Sequence, residues 1–426
     1  MSLDDARGAA ALALKRGNPE LAERLAAGVL LGAPEDAPAL LMKSRALRDL
    51  GRNREAATFA RTAFDTAEGD RDRFFAALAM AQARASAGRS GIAQIWLRRA
   101  AEIAPDDDLR AVAVRDFRHV RRLTPWRLSL DVSVEPSDNL NGAPKTNRFT
   151  FAGLPFVNPS AVPLSGQRLV VGADYLYRLP LSETRRLSFG AGLEMQRVRF
   201  SDAARDKVPG IDNADYRQDA LVLSLGYEAR AQDGRWLAAS QVSLTRHLLG
   251  GERYADAARL DLSYGRSLSP GLVAQARFGL ESERRFDAGL RDSQTRELGL
   301  SLTRRVSRLS IGLDLSLADT ESDSRLVARE STRAALRFGL GKPVKGVLPN
   351  VTLAWEAVDY DHGPTTFWTA PRQDEEWSVT VDVLLPELDY YGFAPEVGVS
   401  FRDRTSNYGI YETRGTDLRL GLKSVF

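Results

Sequence analysis

The residues best suited to chemistry in this chain are its three histidines, His119, His247 and His362, and no two of them form a metal-binding pair. A zinc-hydrolase helix needs His-Glu-x-x-His, which sets two imidazoles on one face with a general base between them. That pattern is missing, as are a Gly-x-Ser-x-Gly elbow and a Gly-Lys-Ser/Thr phosphate loop. With no cysteine there is no thiolate nucleophile, no metal–sulfur site and no disulfide framework. Ser243 near His247 is the remaining hydrolase-like pairing. Asp106-Asp107-Asp108 lacks the spacing of a calcium loop and suits a helix start, where carboxylates meet the helix dipole. The expectation is a protein that is not an enzyme and holds no cofactor and no metal.

Lys and Arg number 59 against 56 Asp and Glu, so the net charge is +3 and nucleic acid is not an expected partner. No apolar run approaches the roughly 20 residues of a spanning helix. A barrel remains open, because its lipid face shows only at every second residue. Met1-Ser2-Leu3-Asp4-Asp5 has neither the basic start nor the apolar core of a leader. An exported barrel needs one, so the chain reads as a mature form.

Residues 1–122 are Ala-, Leu- and Arg-rich with helical periodicity. Gly17, Gly51 and Gly88 recur at about 34 residues, each followed by an alanine five positions on: Ala22, Ala56 and Ala93. Pro34 and Pro105 close two of the three units. This resembles the tetratricopeptide repeat. The Gly ends the first helix in a left-handed turn, the Ala lets the second helix pack closely, and the Pro stops it. Arg45 and Arg48, with Gln82, fall where such repeats line a groove, and are candidate client contacts. Arg115, Arg118, Arg121, Arg122 and Arg127 form a basic run that suits either a solvated face or anionic headgroups.

From residue 123 to 426 the period changes to 2. Fourteen segments alternate apolar and polar residues, from Trp126-x-Leu128-x-Leu130-x-Val132-x-Val134 to Leu418-x-Leu420-x-Leu422. Opposite the apolar face sit Asp131, Asp174, Glu194, Asp261, Arg277, Asp314, Arg333, Arg337, Glu356, Asp382, Glu396 and Arg419. A soluble sheet would not place such charges in a core; a wet barrel lumen accommodates them. Their mixed signs suit internal pairing better than a charge-selective channel. The fold class expected is α+β multidomain: tetratricopeptide-like α-helical repeats, then a 14-stranded antiparallel transmembrane β-barrel.

Connections alternate in length, as in outer-membrane barrels. Residues 135–167, 201–215, 247–253, 285–290, 319–328 and 361–375 are expected to be the longer ones. An even strand count returns both ends of the barrel to the periplasmic side and places the repeats there. Tyr175, Tyr177, Tyr227, Trp236, Tyr264 and Phe426 fall at that rim, and Phe200, Tyr254, Tyr360 and Trp377 at the other, predicting two aromatic girdles. Phe367 and Trp368, at the tip of one long loop, are candidate outer contacts.

Repeats before a fourteen-stranded barrel resemble the surface lipoprotein assembly modulator (Slam) family, the barrel component of type XI secretion. The junction from Pro125-Trp126 carries a family-like Pro-x-x-Asn-x-Asn segment at Pro136, Asn139 and Asn141. Tyr408–Arg414 and the strand ending at Phe426 are similar to the family's last hairpin. The resemblance implies a translocator that moves lipoproteins, or secreted haem- or metal-binding proteins, from periplasm to cell surface. It also implies contact with outer-membrane lipids and with the barrel assembly machinery, which reads terminal strands such as that of Phe426. A monomer is expected. The alternative is a polysaccharide export porin with periplasmic repeats.

Overall fold

Three glycines organise the first part of the chain. In the computed structural model, which describes residues 2–151, 154–158 and 161–424, Gly17, Gly51 and Gly88 have φ of 71°, 77° and 73°. Each follows a helix: α1 Leu3–Lys15, α3 Ala37–Asp49 and α5 Asp70–Ser86. The next N–H, of Asn18, Arg52 or Arg89, reaches back to Ala13, Leu47 or Arg84 at 2.9, 2.8 and 2.9 Å, the closing bond of a Schellman turn. The chain then returns in α2 Pro19–Gly32, α4 Asn53–Thr66 and α6 Ser90–Glu102. Ala22, Ala56 and Ala93 are fully buried, so the paired helices approach without a side chain between them. α7 Asp107–Leu123 follows, with the Asp106 carboxylate accepting from the Leu109 N–H at 2.8 Å. Leu47, Phe74, Leu97 and Phe117 fill the shared core.

Packing divides the chain into two compact units, Met1–Pro125 with Asp389–Phe393, and Trp126–Leu388 with Ala394–Ser424. The second is built from strands: β1 Trp126–Ser137, β2 Arg148–Phe151, β3 Leu154–Val157, β4 Gly166–Pro180, β5 Arg185–Phe200, β6 Gln218–Arg230 and β7 Trp236–Leu249. They continue with β8 Glu252–Ser269, β9 Leu272–Arg285, β10 Ser293–Val306, β11 Leu309–Ser322, β12 Arg329–Leu340, β13 Leu348–Tyr360, β14 Gln373–Leu384, β15 Phe393–Ser406 and β16 Thr413–Ser424. Among the described residues, β1 and β4–β16 form a closed antiparallel barrel of fourteen strands, and β2–β3 is a separate hairpin in the first loop. The second loop carries a short helix, α8 Asp202–Lys207.

Register settles which residues share a face. Val132 opposes Leu422, Leu193 opposes Leu221, Leu298 opposes Leu317 and Val381 opposes Val399, so one apolar set runs round the outside. Leu223 is 62 % exposed and Leu244 57 %, values that a soluble protein rarely gives to a continuous band of leucines. Such a band belongs in hydrocarbon. Among the described residues, no helix is long and apolar enough to cross a membrane.

Two expectations need correction. The connection expected over 247–253 is only the pair Gly250-Gly251, at φ 62° and 92°. Two consecutive left-handed residues make the tight hairpin turn whose twist matches the strands, and glycine takes both at little cost. The strands also run further into the connections expected over 135–167, 319–328 and 361–375 than the sequence pattern suggested, because their outermost residues are polar. Phe426 lies outside the described residues.

Gly51→Ala forces an alanine into left-handed backbone with open space around its Cβ, and should cost about 1 kcal/mol. Gly8→Ala, an exposed mid-helix site in α1, should stabilise by a similar amount. Amide hydrogen exchange over α1–α4 should therefore move in opposite directions in the two variants.

Candidate functional site

The inward face of the barrel carries the strongest pattern. Arg259 on β8 reaches Asp261 at 2.8 Å, Glu281 on β9 at 3.5 Å and Glu297 on β10 at 2.8 Å. To touch β10 it must cross β9, and it does so over Gly279. A Cβ there would stand 2.5 Å from the guanidinium. The device recurs one strand on: Arg277 on β9 crosses Gly299 towards Asp314 on β11, at 3.7 Å, while Arg337 on β12 meets the same carboxylate at 2.7 Å. Arg168 and Arg419 share Glu135, at 3.4 and 3.0 Å. Arg333–Glu356 and Arg404–Glu376 close at 3.4 and 2.8 Å. The charges of both signs that the alternating pattern put opposite the apolar face therefore form a braced wall, in which most lumenal arginines face carboxylates.

The junction motif builds the first loop. The Asn139 side chain donates to the carbonyls of Ala143 at 2.8 Å and Arg414 at 3.0 Å, and accepts from the Ala143 N–H at 2.8 Å. Asn141 donates to Val162 O and accepts from Leu164 N, both at 3.0 Å. Asp138 accepts from Thr416 N at 2.8 Å. Asn139 and Asp138 thus clasp the loop to β16, while Asn141 closes the loop on itself. Leu140 and Leu164 then bury against Phe200 and Ala204, with Tyr216 packed on them, so the first and second loops share a small core. Gly166 is required there, because a Cβ would lie 2.4 Å from Arg199 O and 2.7 Å from Leu140. Pro136 sits in β1, where the β1–β16 register passes from Val134–Leu420 directly to Ser137–Asp417. A proline offers no N–H to the ladder.

Other candidate residues separate. Arg48 bonds Gln82 across α3 and α5 and pairs with Asp49 at 2.9 Å; Arg45 is exposed and joins neither. Phe367 is 78 % exposed, whereas Trp368 packs on Tyr408 with ring centroids 5.2 Å apart. Gly363, in the same loop, is buried, and a Cβ on it would collide with the Trp368 carbonyl. Arg127 does not continue the basic face of α7, since it falls on the inward register of β1. Ser243 and His247 lie four residues apart on one strand, about 13 Å, too far for a nucleophile and its base. Among the described residues no group of His, Asp and Glu is arranged to hold a metal.

The two rims differ. Where β1 starts, Trp126 stacks on Tyr175 and Trp236 on Tyr264, with centroids 6.3 and 6.4 Å apart, and the expected aromatic girdle is there. Of the four aromatics expected at the opposite rim, only Trp377 takes the outward register, where it opposes Trp355. Phe200 is buried in the loop core, while Tyr254 and Tyr360 lie under Arg285 and Arg372. The expected second girdle is replaced by outward-facing charges, which hydrophobic patterning cannot reveal. Beyond the strands, a hydrogen bond from Arg285 holds the Asp287 carboxyl below the usual carboxylate range. A depressed value means that this contribution to loop order is present at neutral pH and fades as the pH falls through it.

A closed fourteen-stranded barrel with an apolar outer band and a charged lumen is an outer-membrane barrel. Residues 126–426 match the family described as surface lipoprotein assembly modifier. The chain belongs to that family, and is a Gram-negative outer-membrane protein with a role in surface lipoprotein assembly. No curated protein matches it. Solved structures with similar folds include the TodX monoaromatic hydrocarbon channel deltaS2 mutant, at TM-score 0.39 and 12 % identity over 71 % of this chain and 90 % of that one. OmpTdeltaL8, from Vibrio cholerae, gives 0.36 and 9 % over 70 % and 99 %. A bacterial polysaccharide outer membrane secretin gives 0.37 and 8 % over 70 % and 98 %. Similarity at that level says nothing about function.

Gly279→Ala should dislodge Arg259 from Glu297 and lower the temperature at which the barrel loses its heat-modifiable gel mobility. Gly265→Ala, an inward glycine with no neighbour closer than 3.9 Å, should not. Asn139→Ala should cost the clasp about 1–3 kcal/mol and speed tryptic cleavage after Lys145; an unchanged rate would refute the clasp.

Proposed function

We propose that this protein is a translocator, whose N-terminal helical domain (residues 1–122) lies in the periplasm and receives a lipoprotein client that the barrel (residues 123–426) helps to the surface. Family membership supports the lipoprotein client. The observation that carries the rest is the braced lumen. A passive conduit for a charged polysaccharide needs one dominant charge sign along its wall, and here Arg259, Arg277, Arg337 and Arg419 each have carboxylate partners. Three glycine-closed hairpins support a tetratricopeptide-like reading of the helical domain. Its groove would offer Arg45, Arg48 and Gln82 to an acidic or amide-rich client segment. Phe367, exposed on the loop after β13, would meet the client outside. No nucleotide-binding loop is present in the sequence, so client folding on the surface would supply the drive.

The test is co-expression of the exported protein with candidate surface lipoproteins, with exposure read by external protease. Deletion of residues 1–122 should leave an inserted barrel and reduce client exposure at least tenfold, about 1.4 kcal/mol in an equilibrium. If no lipoprotein moves and polymer secretion depends on the protein instead, the translocator reading is wrong.

A further inference from the structure

We infer that the outward arginines at the loop-bearing rim of β5–β9 form a binding surface for phosphate-bearing lipid headgroups of the outer leaflet. Arg197 and Arg199 continue the outward register of β5 beyond Leu193 and Met195. Arg246 continues that of β7 beyond Leu244, and Arg284 that of β9 beyond Leu280. Arg217 precedes β6 and Arg253 lies near the start of β8. Six guanidinium groups thus stand at one level, on the face that the leucine band occupies below.

Two carboxylates share this arc. Asp219 takes Arg197 and Arg217 at 2.6 and 2.8 Å, and Asp256 takes Arg246 at 2.9 Å and also Arg253. Arg199 and Arg284 have no carboxylate partner among the described residues; Arg284 stacks on Phe286 at 5.5 Å. The arc therefore keeps a net positive charge. Round the barrel the sign reverses: Asp319 opposes Glu330, Glu330 opposes Asp359, and Glu375 follows on β14.

A lipid touching this wall has its chains against Leu223, Leu244 and Leu260 and its headgroup at the arginines. Guanidinium donors in a fork match phosphate oxygens, and the edge of the bilayer strengthens such charge-assisted bonds. Neighbouring strands are about 4.8 Å apart, so five strands span roughly 19 Å, enough for two phosphates on one headgroup. The opposite rim, with stacked Trp126–Tyr175 and Trp236–Tyr264, is furnished for an ordinary interface instead.

The experiment uses the full chain in phosphatidylcholine nanodiscs containing either bis-phosphorylated lipid A or the same lipid dephosphorylated, with retained lipid counted by native mass spectrometry. The wild type should retain the phosphorylated form about fivefold better, near 1 kcal/mol. Arg246→Gln with Arg284→Gln should abolish that preference, and the corresponding Arg→Lys pair should keep part of it. Glu330→Gln with Asp359→Asn, on the acidic arc, should leave it unchanged. Heat-modifiable mobility confirms that each variant is folded. No preference in the wild type, or a preference untouched in the folded Gln pair, would overturn the inference. So would inorganic pyrophosphate protecting the detergent-solubilised protein from thermal unfolding as well as the lipid does, since the arc would then serve a soluble phosphate.

Discussion

Everything in the second unit depends on closure. In hydrocarbon there is no water to satisfy an unpaired N–H or carbonyl, so a sheet can span only by joining its first strand to its last. Here that join is β1 to β16, and β1 carries Pro136 in it. The chain compensates above the break. Asp138 and Asn139 bind the backbone of Thr416 and Arg414, and Lys145 N donates to Glu412 O at 2.7 Å. The ladder interrupted at Pro136 is thus tied across by side chains, and the family-like junction segment supplies the ties.

The lumen follows from the same geometry. Alternation that turns leucine out turns every other residue in, and charges placed there must find partners in a confined space. Bare pairing across adjacent strands would suffice electrostatically. Arg259 and Arg277 instead reach past a neighbour, and the inward glycines Gly279 and Gly299 are the openings that permit it. Surface ion pairs contribute little singly, but shared carboxylates such as Asp314 and Glu135 couple several strands at once.

Much of this was legible from periodicity. The change from helical to twofold repeat at Trp126, the fourteen registers and the glycine that closes each helical hairpin all follow from local rules. The inward charges were legible as well, though not their partners: Glu297 lies two strands from Arg259, and spacing along a chain does not report diagonals across a sheet. Local rules failed where they compete. Gly250-Gly251 reads as a loop by composition, yet two glycines are what the tightest hairpin needs. Phe200 and Tyr254 read as interface aromatics, but Phe200 is recruited to a loop core and Tyr254 to Arg285. Arg197, Arg246 and Arg284 lie just past the apolar registers, where a pattern search stops counting.

The diagonal arginines have a mechanical meaning. A ring of strands joined only edge to edge can flatten into an ellipse, because each joint acts as a hinge. A strut from one strand to the next but one locks the hinge between. Gly279 and Gly299 mark where such struts cross, over β9 and β10, and the strutted arc runs from β8 to β11. That arc is a stiff panel. Any change in the cross-section of the barrel must be taken up elsewhere on the ring.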